Sequence, residues 1–167
     1  LNNYRIVMEK MSVLAVMYKN SVIVAMSIPV IQTIICSAAA FAFAKMRFYG
    51  KNVLFTLFLS SMMIPSQVTI IPLYVIMKNL HLINSIFSLI LLGSFSAFCI
   101  FLLRQFFLTL PKELDDAARI DGCGYIRSFF LIHLPLAKSV IAVNAILSFN
   151  GAWGDFFGPL IFLKDMK

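Results

Sequence analysis

The chain has 167 residues, 61% of them hydrophobic and 13% charged, with a net charge of +7. A soluble domain carries about 25% charged residues, so composition argues against one. The apolar residues gather into runs that reach the roughly 20-residue helix a bilayer core requires. The positive charge is not that of a nucleic-acid binder. No basic patch interleaves with stacking aromatics, and the 17 Phe sit mostly inside apolar runs. Lys and Arg instead mark cytoplasmic loops.

In chain order, residues 1–19 are mixed and predict a short amphipathic segment outside the bilayer core. Span A is free of charge from Ser21 to Ala44, with Pro29 inside it and the small run Ser37-Ala38-Ala39-Ala40 suited to helix contacts in lipid. Lys45, Arg47, Gly50 and Lys51 form a basic turn. Span B runs from Asn52 to Ile64 and continues toward Met77, with Pro65 and Pro72 breaking or kinking it, so that its far half reads as a separate helix. A polar loop with Lys78, Asn79, His81 and Asn84 leads to span C, Ser85 to Leu103, ended by Arg104. Residues 104–138 hold five basic and four acidic side chains. Span D starts near Leu136 and passes Ser148, and a last apolar piece covers Leu160–Leu163. Loops 45–51 and 104–138 are separated by two spans and share a side. They hold eight of the 14 Lys and Arg, which places them in the cytoplasm, although the three basic residues before position 20 run against the trend. The start at Leu1, without a basic n-region, and the stop at Lys167 just after an apolar run predict no signal peptide and a piece of a longer subunit.

The charged loop carries the most specific pattern. Pro111 suits the first turn of a helix, and Glu113, Asp115 and Asp116 crowd that turn, where the helix dipole favours negative charge. Gly122 stops the helix by turning left-handed. A second helix, Tyr125–His133, follows and is broken by Pro135. The narrow stripe Leu114, Ala117 and Ala118 is too small to enter lipid and predicts a close approach of another backbone. On these residues alone, a capped surface linker is an equal reading.

The run Glu113-Leu-Asp-Asp-Ala-Ala-Arg-Ile-Asp-Gly, followed by Phe129, Phe130, Ile132 and Leu134-Pro135-Leu136, resembles the EAA loop of ABC importer permeases, most closely the maltose-type and glycerol-3-phosphate-type second permeases of the carbohydrate-uptake family. Ala42-Phe43-Ala44-Lys45-Met46-Arg47-Phe48 with Gly50, Met63-Ile64-Pro65 with Ile71-Pro72-Leu73-Tyr74, Phe101-Leu-Leu-Arg-Gln-Phe-Phe107 and Trp153-Gly-Asp-Phe are similar to family signatures in order and spacing. The family's Glu-Ala-Ala stands here as Asp116-Ala117-Ala118, its Asp-Gly-Ala as Asp121-Gly122-Cys123, and its Trp-Asn-Asp-Phe as Trp153-Gly154-Asp155-Phe156.

The resemblance implies an all-α, polytopic type I ABC importer transmembrane domain over 1–167. Four middle spans of six are present, with 104–138 as the cytoplasmic coupling loop. It implies a transport subunit of the bacterial cytoplasmic membrane with no catalytic residue of its own. Its partners would be a second permease subunit, a cytoplasmic ATPase dimer that binds ATP and Mg, and an extracytoplasmic solute-binding protein. Glu113, Asp115, Asp116, Ala117, Ala118, Asp121, Gly122, Phe129 and Pro135 would form the ATPase-coupling loop, with Ala117 and Ala118 facing the ATPase and Phe129 and Phe130 bracing the loop on the spans.

Other residues offer less. Asn144, Ser148, Asn150 and Gly151 along span D are candidates for a substrate path, and equally for a packing face; Gln32, Thr33, Gln67 and Thr69 are weaker ones. His81 and His133 have no ligand at metal spacing, and Cys36, Cys99 and Cys123 are scattered, so neither a metal nor a disulfide is expected. No Walker A loop is present, and no cofactor bound by this chain is expected. A secondary transporter would place ionisable residues within spans, and spans A, B and C have none in their cores. A purely structural membrane protein would not need the Asp-Ala-Ala…Asp-Gly loop. The solute remains open between an oligosaccharide, a monosaccharide and glycerol-3-phosphate.

Overall fold

A computed structural model describes residues 14–163, and every regular element among them is a helix. The apolar run beginning at Leu14 forms α1 (Leu14–Lys45), 32 residues long, with Pro29 held inside it. It is long and apolar enough to cross a membrane. Leu14–Lys19 are therefore the first turns of α1 and not part of a separate amphipathic segment, because Leu14 to Met17 extend the apolar run backwards. Residues 1–13 of that expectation lie outside the described residues.

The basic turn leads to α2 (Lys51–Ser60), a 3-10 turn at Ser61–Met63, and α3 (Ser66–Asn79), which leaves at 104°. Pro65 sets the break: Ile64 before it is extended, at φ −85° and ψ 118°, the conformation that a following proline imposes. Pro72 lies inside α3 without ending it. The next pair, α4 (Ile86–Gly93) and α5 (Ala97–Thr109), is capped by the Ser85 and Ser96 hydroxyls, which accept from the amides of Phe87 and Cys99. Together Ile86–Thr109 meets the length and hydropathy of a span. The end expected at Arg104 is corrected, since α5 continues to Thr109. The protein satisfies that charge internally: Arg104 Nε donates to Phe43 O at 3.2 Å, and the guanidinium lies 4.0 Å over the Phe55 ring.

After α5 come α6 (Lys112–Ile120), α7 (Tyr125–Ser128), a π turn at Phe129–His133, and α8 (Leu134–Leu136). A 77° bend then starts α9 (Lys138–Trp153), and α10 (Phe157–Phe162) follows. The break expected at Pro135 falls instead at Ala137. Pro135 lies inside the continuous helical run Tyr125–Leu136, directly after the π turn at Phe129–His133, and does not itself end that run.

Helix α1 is the axis of the bundle, with α5 and α9 packed along it. At its Lys45 end a core forms around Phe41, Ile100, Leu103, Phe107 and Phe129. At its other end Val24, Ile28, Met77, Leu89 and Phe162 form a second one. Gly93 lets α4 close on α1 there: a Cβ on it would lie 2.6 Å from Ile28 Cδ1. Asn84 N–H donates to Phe162 O at 2.8 Å, and Trp153 meets Tyr18 edge-on at 5.9 Å. Both basic loops lie at the Lys45 end, joined by the bond from Lys45 Nζ to Leu110 O at 3.1 Å. Outward faces stay apolar; Ile34 is 65% exposed and Ile71 74%.

Candidate functional site

The charged loop is a short helix, a tight turn and a second helix standing at the end of the bundle. Glu113 and Asp115 occupy the first turn of α6 and Arg119 its last, each charge on the side the helix dipole favours. Gly122 closes the helix with φ +70°. Cys123 N–H then reaches back to Ala118 O at 2.8 Å, and Gly122 N–H to Arg119 O at 3.0 Å, the paired bonds of a Schellman turn. Arg119 Nη2 donates to the Tyr125 hydroxyl at 2.9 Å across that turn.

Helical spacing splits α6 into two faces. Glu113, Asp116, Ala117 and Ile120 stand at i, i+3, i+4 and i+7 and are all exposed. Leu114, Asp115 and Ala118 turn inward, Ala118 being buried. One expectation is corrected here. Ala118 does not face outward with Ala117, because residues one apart differ by about 100° around the axis. Asp115 is not on the outer face either. Its Oδ2 lies 2.9 Å from Lys45 Nζ and its Oδ1 3.0 Å from His133 Nε2. Asp121 and Gly122 are exposed at the tip.

Phe129 is buried and packs on Phe41 at 5.2 Å, bracing the loop on α1. Phe130, expected to share that role, is 58% exposed, and Pro135 is exposed as well. Sequence reasoning missed Lys45, His133 and Ile120. Ile120, 87% exposed, was legible as the i+4 neighbour of Asp116. The partners of Lys45 and His133 were not legible, since Asp115 is 70 residues from Lys45 in sequence.

At the far end of the bundle lies a cleft of about 590 Å³, lined by polar residues Gln32, Gln67, Thr69, Ser148 and Asp155 among apolar ones. Of the span D candidates, Ser148 and Gly151 line it. Asn144, one turn before Ser148, is buried with its Nδ2 unpaired, as is the Ser148 hydroxyl. Asn150 lies off that line and is exposed, because two residues span about 200° of a helix. Asp155 falls outside α9, where its Oδ1 accepts from Gly158 N–H at 3.0 Å.

Residues 32–166 match the model of the family described as binding-protein-dependent transport system inner membrane component. The chain belongs to this family. It is 39% identical over 149 residues to a probable ABC transporter permease protein of Pyrococcus horikoshii, covering 88% of this chain and 54% of that protein. It is 36% identical over 165 residues to the arabinooligosaccharides transport system permease protein of Halalkalibacterium halodurans, covering 99% and 59%. To the sn-glycerol-3-phosphate transport system permease protein of Salmonella typhi it is 38% identical over 151 residues, covering 90% and 54%. The chain therefore spans about half the length of the curated relatives it matches. Its fold superposes with a TM-score of 0.82, at 25% identity, on a crystal structure of a bacterial ABC transporter involved in the import of the acidic polysaccharide alginate, covering 89% of this chain and 52% of that one. The fold class is thus all-α, that of an ABC importer permease, and the chain is a membrane protein of that family.

Proposed function

We propose that this chain is the membrane-spanning part of a permease subunit in a binding-protein-dependent ABC importer of the bacterial cytoplasmic membrane, and that α6 receives the push of a separate ATPase. The observation that carries the reading is the two-faced α6. One face is fastened to the bundle, and the other presents Glu113, Asp116, Ala117 and Ile120 outward. A helix exposing carboxylates, a small residue and an apolar tip fits a protein cleft better than it fits lipid or bulk water. Closure of a cytoplasmic ATPase dimer on ATP and Mg would move this loop and, through α1 and α9, switch the spans between outward and inward access. Coupling of this kind needs a contact that differs between two states. The apolar outer faces of α1 and α3 suit lipid and a second permease subunit, and a solute-binding protein would deliver to the outer mouth.

The solute we infer is a neutral sugar or oligosaccharide. The cleft at the far end offers Gln32, Gln67, Thr69 and Ser148, which pair with hydroxyls. Its charged lining residue is the carboxylate of Asp155, which repels an anion such as glycerol-3-phosphate.

The test is reconstitution of the full-length subunit with its neighbours in vesicles, with uptake of labelled arabinotriose, maltose and glycerol-3-phosphate followed beside ATP hydrolysis. Ala117→Trp and Asp116→Lys should leave insertion intact, weaken co-purification of the ATPase and abolish uptake. Normal transport by both variants would refute the docking role of α6. Uptake of glycerol-3-phosphate in preference to the sugars would refute the solute assignment.

A further inference from the structure

Three ionisable side chains from three separate segments meet where the loop joins the bundle. Lys45 ends α1, Asp115 lies on the inner face of α6, and His133 ends the π turn. Lys45 Nζ, on a side chain 8% exposed, bonds both Asp115 Oδ2 at 2.9 Å and Leu110 O at 3.1 Å. The His133 ring is fully buried and lies edge-on to Phe41 at 4.8 Å and Phe107 at 6.0 Å. Its Nδ1 faces the Ser128 carbonyl at 3.2 Å and the Ser128 hydroxyl at 3.3 Å. Its Nε2 lies 3.0 Å from Asp115 Oδ1, off the line of an aligned hydrogen bond but within ion-pair distance.

Packing alone does not call for this arrangement. An apolar side chain would fill the phenylalanine cage around His133, and a buried ionic group is weak evidence for stability but can fix one geometry. Helix α6 needs such fixing. It has nine residues, too few to be stable alone, and its inward apolar residues are the single leucine Leu114 and the small Ala118. Of the four loop carboxylates, Asp115 is the one paired with the bundle, whereas Glu113, Asp116 and Asp121 are exposed.

We propose that Lys45, Asp115 and His133 form a strut that locks α6 to the end of α1, so that Asp115 is a positioning residue for coupling and a push on α6 moves α1 as one rigid body. This rests on the docking role proposed above for the opposite face of α6.

The test uses spin labels at Tyr49, beyond the end of α1, and at Lys112, at the start of α6, in the full-length subunit assembled with its ATPase. The expected result is one narrow distance distribution, unchanged between the nucleotide-free state and the state with bound ATP. A shift between those states in the otherwise native protein overturns the strut. Asp115→Asn and Lys45→Met should broaden the distribution in both states, and Lys45→Arg should restore the narrow one. Unchanged narrow distributions in Asp115→Asn or Lys45→Met also overturn it. Should either variant fail to assemble, the native pair of measurements still decides. If Ala117→Trp keeps normal ATPase binding and uptake, the docking reading falls. If Ala117→Trp uncouples but Asp115→Asn stays narrow, only the strut falls.

Discussion

Replacing Gly122 isolates the energy of one backbone conformation. Its φ is +70°, and a Cβ built on it meets nothing within 4 Å. Any effect of a side chain there comes from the left-handed backbone and not from crowding. That conformation costs an ordinary residue about 1–2 kcal/mol. Asparagine, which tolerates it, costs less, and the stiff branched valine costs more. A penalty of that size lowers the ratio of closed to open turn by about 5–30-fold. Opening releases the bonds from Cys123 N–H to Ala118 O and from Gly122 N–H to Arg119 O. Hydrogen exchange at these two amides, measured in the purified full-length complex, should accelerate in the order native, Gly122→Asn, Gly122→Ala, Gly122→Val. Uptake per ATP hydrolysed should fall in the same order, with insertion unaffected. Faster exchange in Gly122→Asn than in Gly122→Ala, or equal exchange in all four proteins, would show that the left-handed backbone at this position does not hold the turn.

Ala118→Leu should lower thermal stability of the detergent-purified protein by about 1–3 kcal/mol through overpacking, whereas Ala117→Leu should leave stability unchanged; equal losses would contradict the two-faced α6. Gly93→Ala should destabilise the protein by forcing Ile28 aside, and should cost less when made in an Ile28→Ala background, which itself loses core packing. Additive effects measured in the same melts would show that α1 and α4 do not meet there. A single cysteine at Asp116 on a cysteine-free background should resist a membrane-impermeant maleimide in intact cells and react after permeabilisation, while one at Gln67 should react from outside. Labelling of position 116 in intact cells would reverse the orientation.

The sequence determined the elements and the loop through local chemistry. Charge-free runs define α1 and the later spans because the bilayer demands length and hydropathy, both additive along the chain. The end of α6 was legible at Gly122, since a residue without Cβ is the ready solution for a left-handed stop. Pro65 marked its break for the same local reason. Tertiary structure decided where each side chain points and what it meets. Period and spacing divide α6 into faces, but both faces mix small and acidic residues. Only the packed bundle distinguishes Asp115, held between Lys45 and His133, from its exposed neighbour Asp116. Arg104 reads as the end of a span until Phe43 O and the Phe55 ring are brought to it from across the sequence. In each case the deciding partner comes from packing or from distant sequence, and neither hydropathy nor local propensity carries that information.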